Sequence, residues 1–224
     1  MKAVAIILAA GEARRMAHPK ALIEHEGGRS FLQSLASTFG KAGCAVMAVI
    51  GKDGEAVREQ HPSLMLVDSL HWQESPMSSI KAGLAAALEE GADVVLLHPV
   101  DMPAVRASTL KSLLKAMGEQ DEGLRPEFEA APGFPVVLSR AAAEQLLGSN
   151  ATQLDAALHG VKLRRVSVKD PGVLVNINTP ETYERLFGMQ PKLAPPPKRR
   201  GKKTSVGGMS MPDAGIEMSA SPEE

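Results

Sequence analysis

The sequence predicts a Rossmann-like three-layer α/β/α sandwich with a mostly parallel sheet, spanning residues 1–189. Three observations carry that expectation. Short apolar runs rich in β-branched residues recur between turn residues, as buried strands do: AVAIILA (3–9), AVMAVIG (45–51), LMLVD (64–68), VVLLHP (94–99) and LVNIN (174–178). The runs are continuously apolar rather than alternating, which suits strands covered on both faces. Helical patterns separate them, and strands alternating with helices build a parallel sheet between two helical layers.

The helices have visible ends. Ser30 and Gln33 stand at capping-box spacing ahead of FLQSLASTFGKAG, and Gly43 stops that run. STLKSLLKAMG places Leu110, Leu113, Leu114 and Met117 at i, i+3, i+4 and i+7, with Gly118 past the end. NTPETYERLF offers Thr179 as N-cap and Pro180 in the first turn.

Composition narrows the classes. The 224 residues are 44% hydrophobic, enough for a sizeable core, and a net charge of −1 gives no general attraction for nucleic acid or anionic lipid. Neither a nucleic acid nor a membrane is therefore an expected partner. The single Cys44 cannot form an internal disulfide, which suits a reducing cytoplasm. Lys2 and the run 3–10 resemble the start of a secretory signal, but the run is short and leads into patterned sequence. No stretch approaches the ~18 apolar residues of a membrane span. A soluble, cytoplasmic protein is the expectation. From Gln190 the composition turns rich in Pro, Gly, Ser and Met, so 190–224 is expected to be a disordered tail with a basic run, KRRGKK.

In a parallel sheet covered on both faces the ligand lies beyond the carboxyl ends of the strands, so the loops there should hold the chemistry. The first, GEARRMAHPK (11–20), has neither the further glycines of a dinucleotide fingerprint nor a Walker Gly-Lys-Ser/Thr. Gly11 lets backbone approach a ligand, and Arg15 and Lys20 can reach phosphate. The fourth run ends in Asp101 beside Pro103, a lone carboxylate of the kind Mg²⁺ shares with phosphate oxygens and water. Taken alone, these residues also fit a solvated basic loop and a turn-initiating aspartate.

Together they resemble a family. LAAGEARRMAHPKAL (8–22) is similar to the L-A-A/G-G-x-S-x-R-M-G-x-P-K signature of the MobA-like nucleotidyltransferases, the group with the molybdenum cofactor cytidylyl- and guanylyltransferases. SPMSSIKAGL (75–84), HPVDMPAV (98–105), PGFPVVLS (132–139) and VNINTPETYERL (175–186) resemble, in the family's order, four further motifs. The resemblance covers roughly residues 3–188. It implies the nucleotide-diphospho-sugar transferase type of fold, and transfer of a nucleoside monophosphate from CTP or GTP to a phosphorylated acceptor with release of pyrophosphate. Molybdopterin is the leading acceptor, and a molybdoenzyme under maturation is the partner this implies. The alternatives are a sugar- or alditol-phosphate nucleotidyltransferase and a nucleotide-binding module without catalysis. By the same resemblance Leu8, Ala9, Ala10 and Gly11 face base and ribose, with Ser78 and Ser79 opposite. Arg15 and Lys20 grip the triphosphate, Asp101 and Asn178 hold Mg²⁺, and Arg15, Lys20 and Asp101 form the catalytic set. Gly133, Phe134 and Pro135 form the acceptor segment. No side-chain nucleophile is required, because in-line phosphoryl chemistry is catalysed mainly by positioning and charge.

The chain also departs from the pattern. Ala13 stands where the family has Ser, Ala17 and Ser75 where it has Gly, and Phe134 where it has His. LGSNATQLDAAL (147–158) lacks the Asp and Arg of the cytidylyltransferases' Gly-Asp-x-Gly-Ala-Arg stretch, and Asn176 and Asn178 replace their aspartates.

Overall fold

The computed structural model describes residues 1–196. Within them the chain alternates strand and helix until Ala116: β1 (Ala3–Ala9), α1 (Phe31–Lys41), β2 (Ala45–Ile50), α2 (Gly54–Gln60), β3 (Met65–Asp68), α3 (Pro76–Glu89), β4 (Val94–Pro99) and α4 (Ala107–Ala116). The remainder mixes shorter pieces: β5 (Gly123–Phe128), β6 (Ala131–Pro132), β7 (Val136–Ser139), α5 (Arg140–Gly148), α6 (Leu154–Leu158), β8 (Leu163–Ser167) and α7 (Pro180–Phe187).

The strands form one sheet in the order β3-β2-β1-β4-β7-β5-β6, with β8 also paired to β5. β1 lies parallel between β2 and β4, and β2 parallel to β3. β7 runs antiparallel to both β4 and β5, and β8 parallel to β5. This is the expected mostly parallel α/β sheet with helices on both faces. Its central strands are apolar on both sides because both sides are covered. Ala3, Ala5 and Ile7 of β1 join a core with α1, α4 and α7, while Val4 and Ile6 join a second core with α3, α5 and α6.

The expected helix starts are realised. The Ser30 hydroxyl accepts from the Gln33 amide at 3.1 Å, and the Thr179 hydroxyl from the Thr182 amide at 3.3 Å. Leu110 and Leu113 are fully buried under α4.

Two expectations change. LVNIN (174–178) is not a strand. Only Ile177 of its apolar residues reaches full burial, and its amide donates to the Asp101 carbonyl at 2.8 Å instead of to a strand. The place beside β5 belongs to β8, LRRVS, whose half-buried, arginine-bearing pattern suits an exposed edge. The boundary at 189 is also too early. Leu193 bridges antiparallel to Ile23, the Ala194 amide donates to the Leu22 carbonyl at 2.8 Å, and Ala194 is buried. The Pro-rich composition disguises a short strap whose backbone pairs with residues 22–24. The rest of the expected tail, with its basic run, lies outside the described residues. No described helix is long and apolar enough to cross a membrane.

Candidate active site

The carboxyl ends of β1 and β4 bring the 11–20 loop and Asp101 together, as the parallel register of Leu8 against Pro99 requires. The Lys20 ammonium donates to Asp101 Oδ2 at 2.8 Å and also to Asn178 Oδ1. These residues come from three loops, the last held in place by the bond between Ile177 and Asp101 backbones. The pair is largely enclosed, with 21% of the Lys20 side chain and 14% of Asp101 exposed. Asp101 Oδ1 is buried and has no hydrogen-bond partner among the described residues.

Two cavities flank this cluster. The larger, about 770 Å³, is walled by Leu8 of β1, Ala10 and Gly11 just after it, Trp72 after β3, and Ser75 and Ser79 at the start of α3. The smaller, about 110 Å³, lies between Leu8, Ala9 and Gly11 and the Lys20–Asp101 pair. A Cβ on Gly11 would meet nothing within 4 Å, so the loop leaves open space there for a ligand. The start of α3 turns the positive end of a helix dipole to one wall. Volume, apolar walls and convergent polar groups are those of a small-molecule site.

The other predicted residues divide. Ser79 lines the large cavity, its hydroxyl 2.9 Å from that of Ser69. Ser78 turns away, bonding the His71 and Ser75 carbonyls at 2.6 Å each, and so braces the loop that carries Trp72. Arg15 is exposed and lines neither cavity, whereas Arg14 lines the larger one. Gly133 and Pro135 are buried, leaving Phe134 as the part of the acceptor segment that offers surface. The Arg125 guanidinium covers the Phe134 ring at 5.3 Å, and the His98 ring meets it edge-on at 6.4 Å.

Sequence reasoning missed Lys52, Glu12 and Trp72. Glu12 pairs with Lys52 and, at 2.8 Å, with Arg14, and these two cations hold its carboxyl down at about 2. Lys52 follows β2 directly, so the strand-end rule that singled out Gly11 and Asp101 also points to it. Trp72 is the chain's only tryptophan, in a polar stretch. His98 is fully buried, and desolvation pushes it down to about 4, so its imidazole is neutral. Burial raises the Cys44 thiol to about 11, which leaves it unreactive.

A divalent cation is testable against these groups. Asp101 offers an unpaired buried oxygen, and Asn178 turns its amide oxygen to the same point as Asp101, where the Lys20 ammonium now sits. One carboxylate and one amide suit an ion that takes its remaining ligands from phosphate and water. The described residues contain no cluster of three or more His, Cys, Asp or Glu side chains that would form an all-protein cage. The donor set fits.

The family model described as the MobA-like NTP transferase domain matches residues 5–168. A molybdenum cofactor guanylyltransferase of Xanthomonas euvesicatoria is 28% identical over 201 residues, 83% of this chain and 95% of that one. The bifunctional protein GlmU of Azorhizobium caulinodans is 38% identical over 112 residues, 48% of this chain and 25% of that one. Among solved structures, Rv0371c of Mycobacterium tuberculosis superposes with a TM-score of 0.72 at 21% identity, covering 84% of this chain and 100% of its own. Rv0371c has also been solved in complex with manganese.

Proposed function

The chain belongs to the MobA-like NTP transferase family, and from that premise we propose that it transfers a nucleoside monophosphate from CTP or GTP to the phosphate of molybdopterin, with Mg²⁺. The observation that carries the reading is the convergence of Lys20, Asp101 and Asn178 beside a cavity large enough for a nucleoside.

In this reading base and ribose enter the large cavity against Leu8, Ala10 and Ser79, beside Trp72. The triphosphate runs past Gly11 towards Lys20, whose ammonium leaves the carboxylate for the phosphate oxygens. Arg14 and Lys52, both now tied to Glu12, stand at the rim where phosphate charge enters. Arg15, on the same loop, completes the cation set once a triphosphate draws the loop in. An oxygen of the acceptor phosphate attacks the α-phosphorus in line, the bond to the bridging α–β oxygen breaks, and pyrophosphate leaves with the electron pair. Asp101 and Asn178 would hold Mg²⁺, which when bound neutralises charge on the phosphate oxygens as the leaving group departs. Lys20 supplies a second positive charge that needs no reorganisation at the moment of reaction. Phe134, half-buried between Arg125 and His98, would present the exposed part of its ring to the acceptor. The GlmU match, 38% identical but confined to 48% of the chain, keeps a sugar-phosphate acceptor as the second reading.

The test is a thermal-shift panel of CTP, GTP, UTP and ATP with Mg²⁺, followed by pyrophosphate release with molybdopterin and with sugar and alditol phosphates. The preferred nucleotide at a hundredfold excess over its Kd should add about 2.7 kcal/mol of stability. Pyrophosphate release with a sugar phosphate and none with molybdopterin would replace the acceptor. Binding without release from any acceptor would leave a nucleotide-binding module.

A further inference from the structure

Asp170 is a carboxylate outside the reactive cluster, yet only 2% exposed. Its Oδ2 accepts from the Arg106 amide at 3.0 Å and the Thr109 hydroxyl at 2.7 Å, and its Oδ1 from the Gly172 amide at 3.0 Å. The nearest cation, the Arg106 guanidinium, is 3.7 Å away and 64% exposed. A buried carboxylate is costly unless donors surround it, and here three of them do. What they join is informative. Arg106 and Thr109 begin α4, at the end of the loop that leaves Asp101. Gly172 lies on the segment that leads to Asn178.

The two segments touch so closely that a Cβ at Gly172 would collide with the Ala104 carbonyl. A Cβ at Gly133 would likewise collide with the Val173 carbonyl. Three hydrogen bonds leave this knot for the site. The Ile177 amide donates to the Asp101 carbonyl at 2.8 Å, the Phe134 amide to the Val173 carbonyl at 2.9 Å, and His98 Nε2 to the Met102 carbonyl at 2.8 Å. Asp101, Asn178 and Phe134 therefore all hang from segments that Asp170 ties together. The walls of the large cavity, Gly11, Trp72 and Ser79, make none of these bonds.

We infer that Asp170 is a positioning residue, whose buried carboxylate fixes the spacing of Asp101 and Asn178 and seats the Phe134 segment beside them. Both oxygens accept, which an asparagine cannot reproduce: its NH₂ group would face an N–H or O–H donor and leave both unsatisfied. Relief of that clash separates the 102–106 loop from the 170–177 segment. The displacement falls on the metal pair and not on the nucleoside cavity. The inference rests on the proposed function only in taking Asp101 and Asn178 as metal ligands.

The experiment uses the full chain with Asp170→Asn and Thr109→Val, the second removing a single donor. Mn²⁺ affinity is read by electron paramagnetic resonance in the presence of the nucleotide with the larger thermal shift, and nucleotide affinity without metal by calorimetry. Asp170→Asn should weaken Mn²⁺ binding about tenfold or more, the range for a residue that orients ligands. Thr109→Val should weaken it less, and nucleotide affinity without metal should stay within about twofold for both. If Asp170→Asn does not fold, Thr109→Val alone must show the selective loss. Unchanged Mn²⁺ affinity in folded variants, or an equal loss of nucleotide affinity, overturns the inference. A parent that binds Mn²⁺ with nucleotide but releases no pyrophosphate sinks the catalytic reading alone and leaves the comparison of Mn²⁺ affinities valid. A parent that binds no Mn²⁺ with any nucleotide overturns both.

Discussion

β1–β4 and β5–β8 share one sheet but are built differently. In the first set every strand is parallel and followed by a helix, so all the strand ends face one way, and the segments after β1, β2 and β3 gather around the large cavity. In the second, β7 reverses direction, β6 is two residues long, and arginines stand on β5 (Arg125) and on the edge strand β8 (Arg165). The family pattern is altered in both sets, at Ala13, Ala17 and Ser75 in the first and at Phe134 in the second, where Arg125 lies across the ring that replaces a histidine. In the proposed reading the first set holds the nucleotide and the second presents the acceptor.

Four measurements can break or sharpen that contrast. The largest effect is expected at the seam. Asp101→Ala should cut turnover about 10²-fold or more with much less effect on nucleotide affinity, whereas Lys20→Ala should lower both together. Pyrophosphate release beside calorimetry reads the difference, and parental turnover in Asp101→Ala would make Asp101 a turn residue only. Lys20→Ala also strips a largely enclosed carboxylate of its cation, so its thermal midpoint should fall, while Asp101→Ala should disturb it less.

The second measurement is pH dependence of stability, and it also concerns the seam, since His98 lies on β4, one residue before its end. With a folded value near 4 against an ordinary 6.5, His98 takes up a proton on unfolding at any pH between the two. Stability should be flat for this group above 6.5 and fall as pH drops towards 4, by up to about 3 kcal/mol. Burial lowers His25 and His61 as well, which adds in the same direction. Unfolding midpoints of the parent and His98→Gln from pH 8 to 4.5 should show a shallower acid slope in the variant. Identical slopes would remove His98 from the account.

Third comes the strap, which returns from α7 to the residues beside Lys20. Ending the chain after Met189 discards the Leu193–Ile23 bridge and the buried Ala194, at a cost of about 2 kcal/mol or roughly 4–8 °C. Ending it after Pro196 should leave the midpoint unchanged. Equal midpoints for the two truncations would show that the strap adds nothing. The smallest effect is expected at Phe134. Phe134→His should change which acceptors react while nucleotide affinity stays within about threefold, under ~0.7 kcal/mol. Equal loss of both would mean that the segment is ordinary core and that the halves are not separable.

The same contrast explains what can be read from the sequence. β1, β2 and β4 are legible because burial on both faces writes a continuous apolar run. The caps at Ser30 and Thr179 are legible because a side-chain oxygen and a free amide have few other ways to meet. Lys20, Asp101 and Asn178, up to 158 positions apart, are named by motif resemblance, and the fold sets them within hydrogen-bond reach. β5 hides because GLRPEF carries a proline, a glycine and two charges, and β8 because its face is half solvent. LVNIN misleads because a loop segment that buries one isoleucine has the composition of a strand. Asp170 reads as a turn residue before proline, and nothing local marks its burial. It is enclosed by partners more than 60 positions away.

Trp72 gives the molecule an optical asymmetry. It is the only indole, and it lines the cavity assigned to the nucleoside, while the only tyrosine, Tyr183, is buried on α7 between Phe31 and Phe187. Emission excited at the red edge of the absorption band comes from Trp72 alone. A base arriving beside it should quench or shift that emission without any attached dye. The near-ultraviolet signal of Tyr183 should stay unchanged until the core itself opens. Occupancy of the cavity and integrity of the fold can therefore be followed in one cuvette on separate chromophores, whereas the Phe134 side, with no indole of its own, is spectroscopically dark.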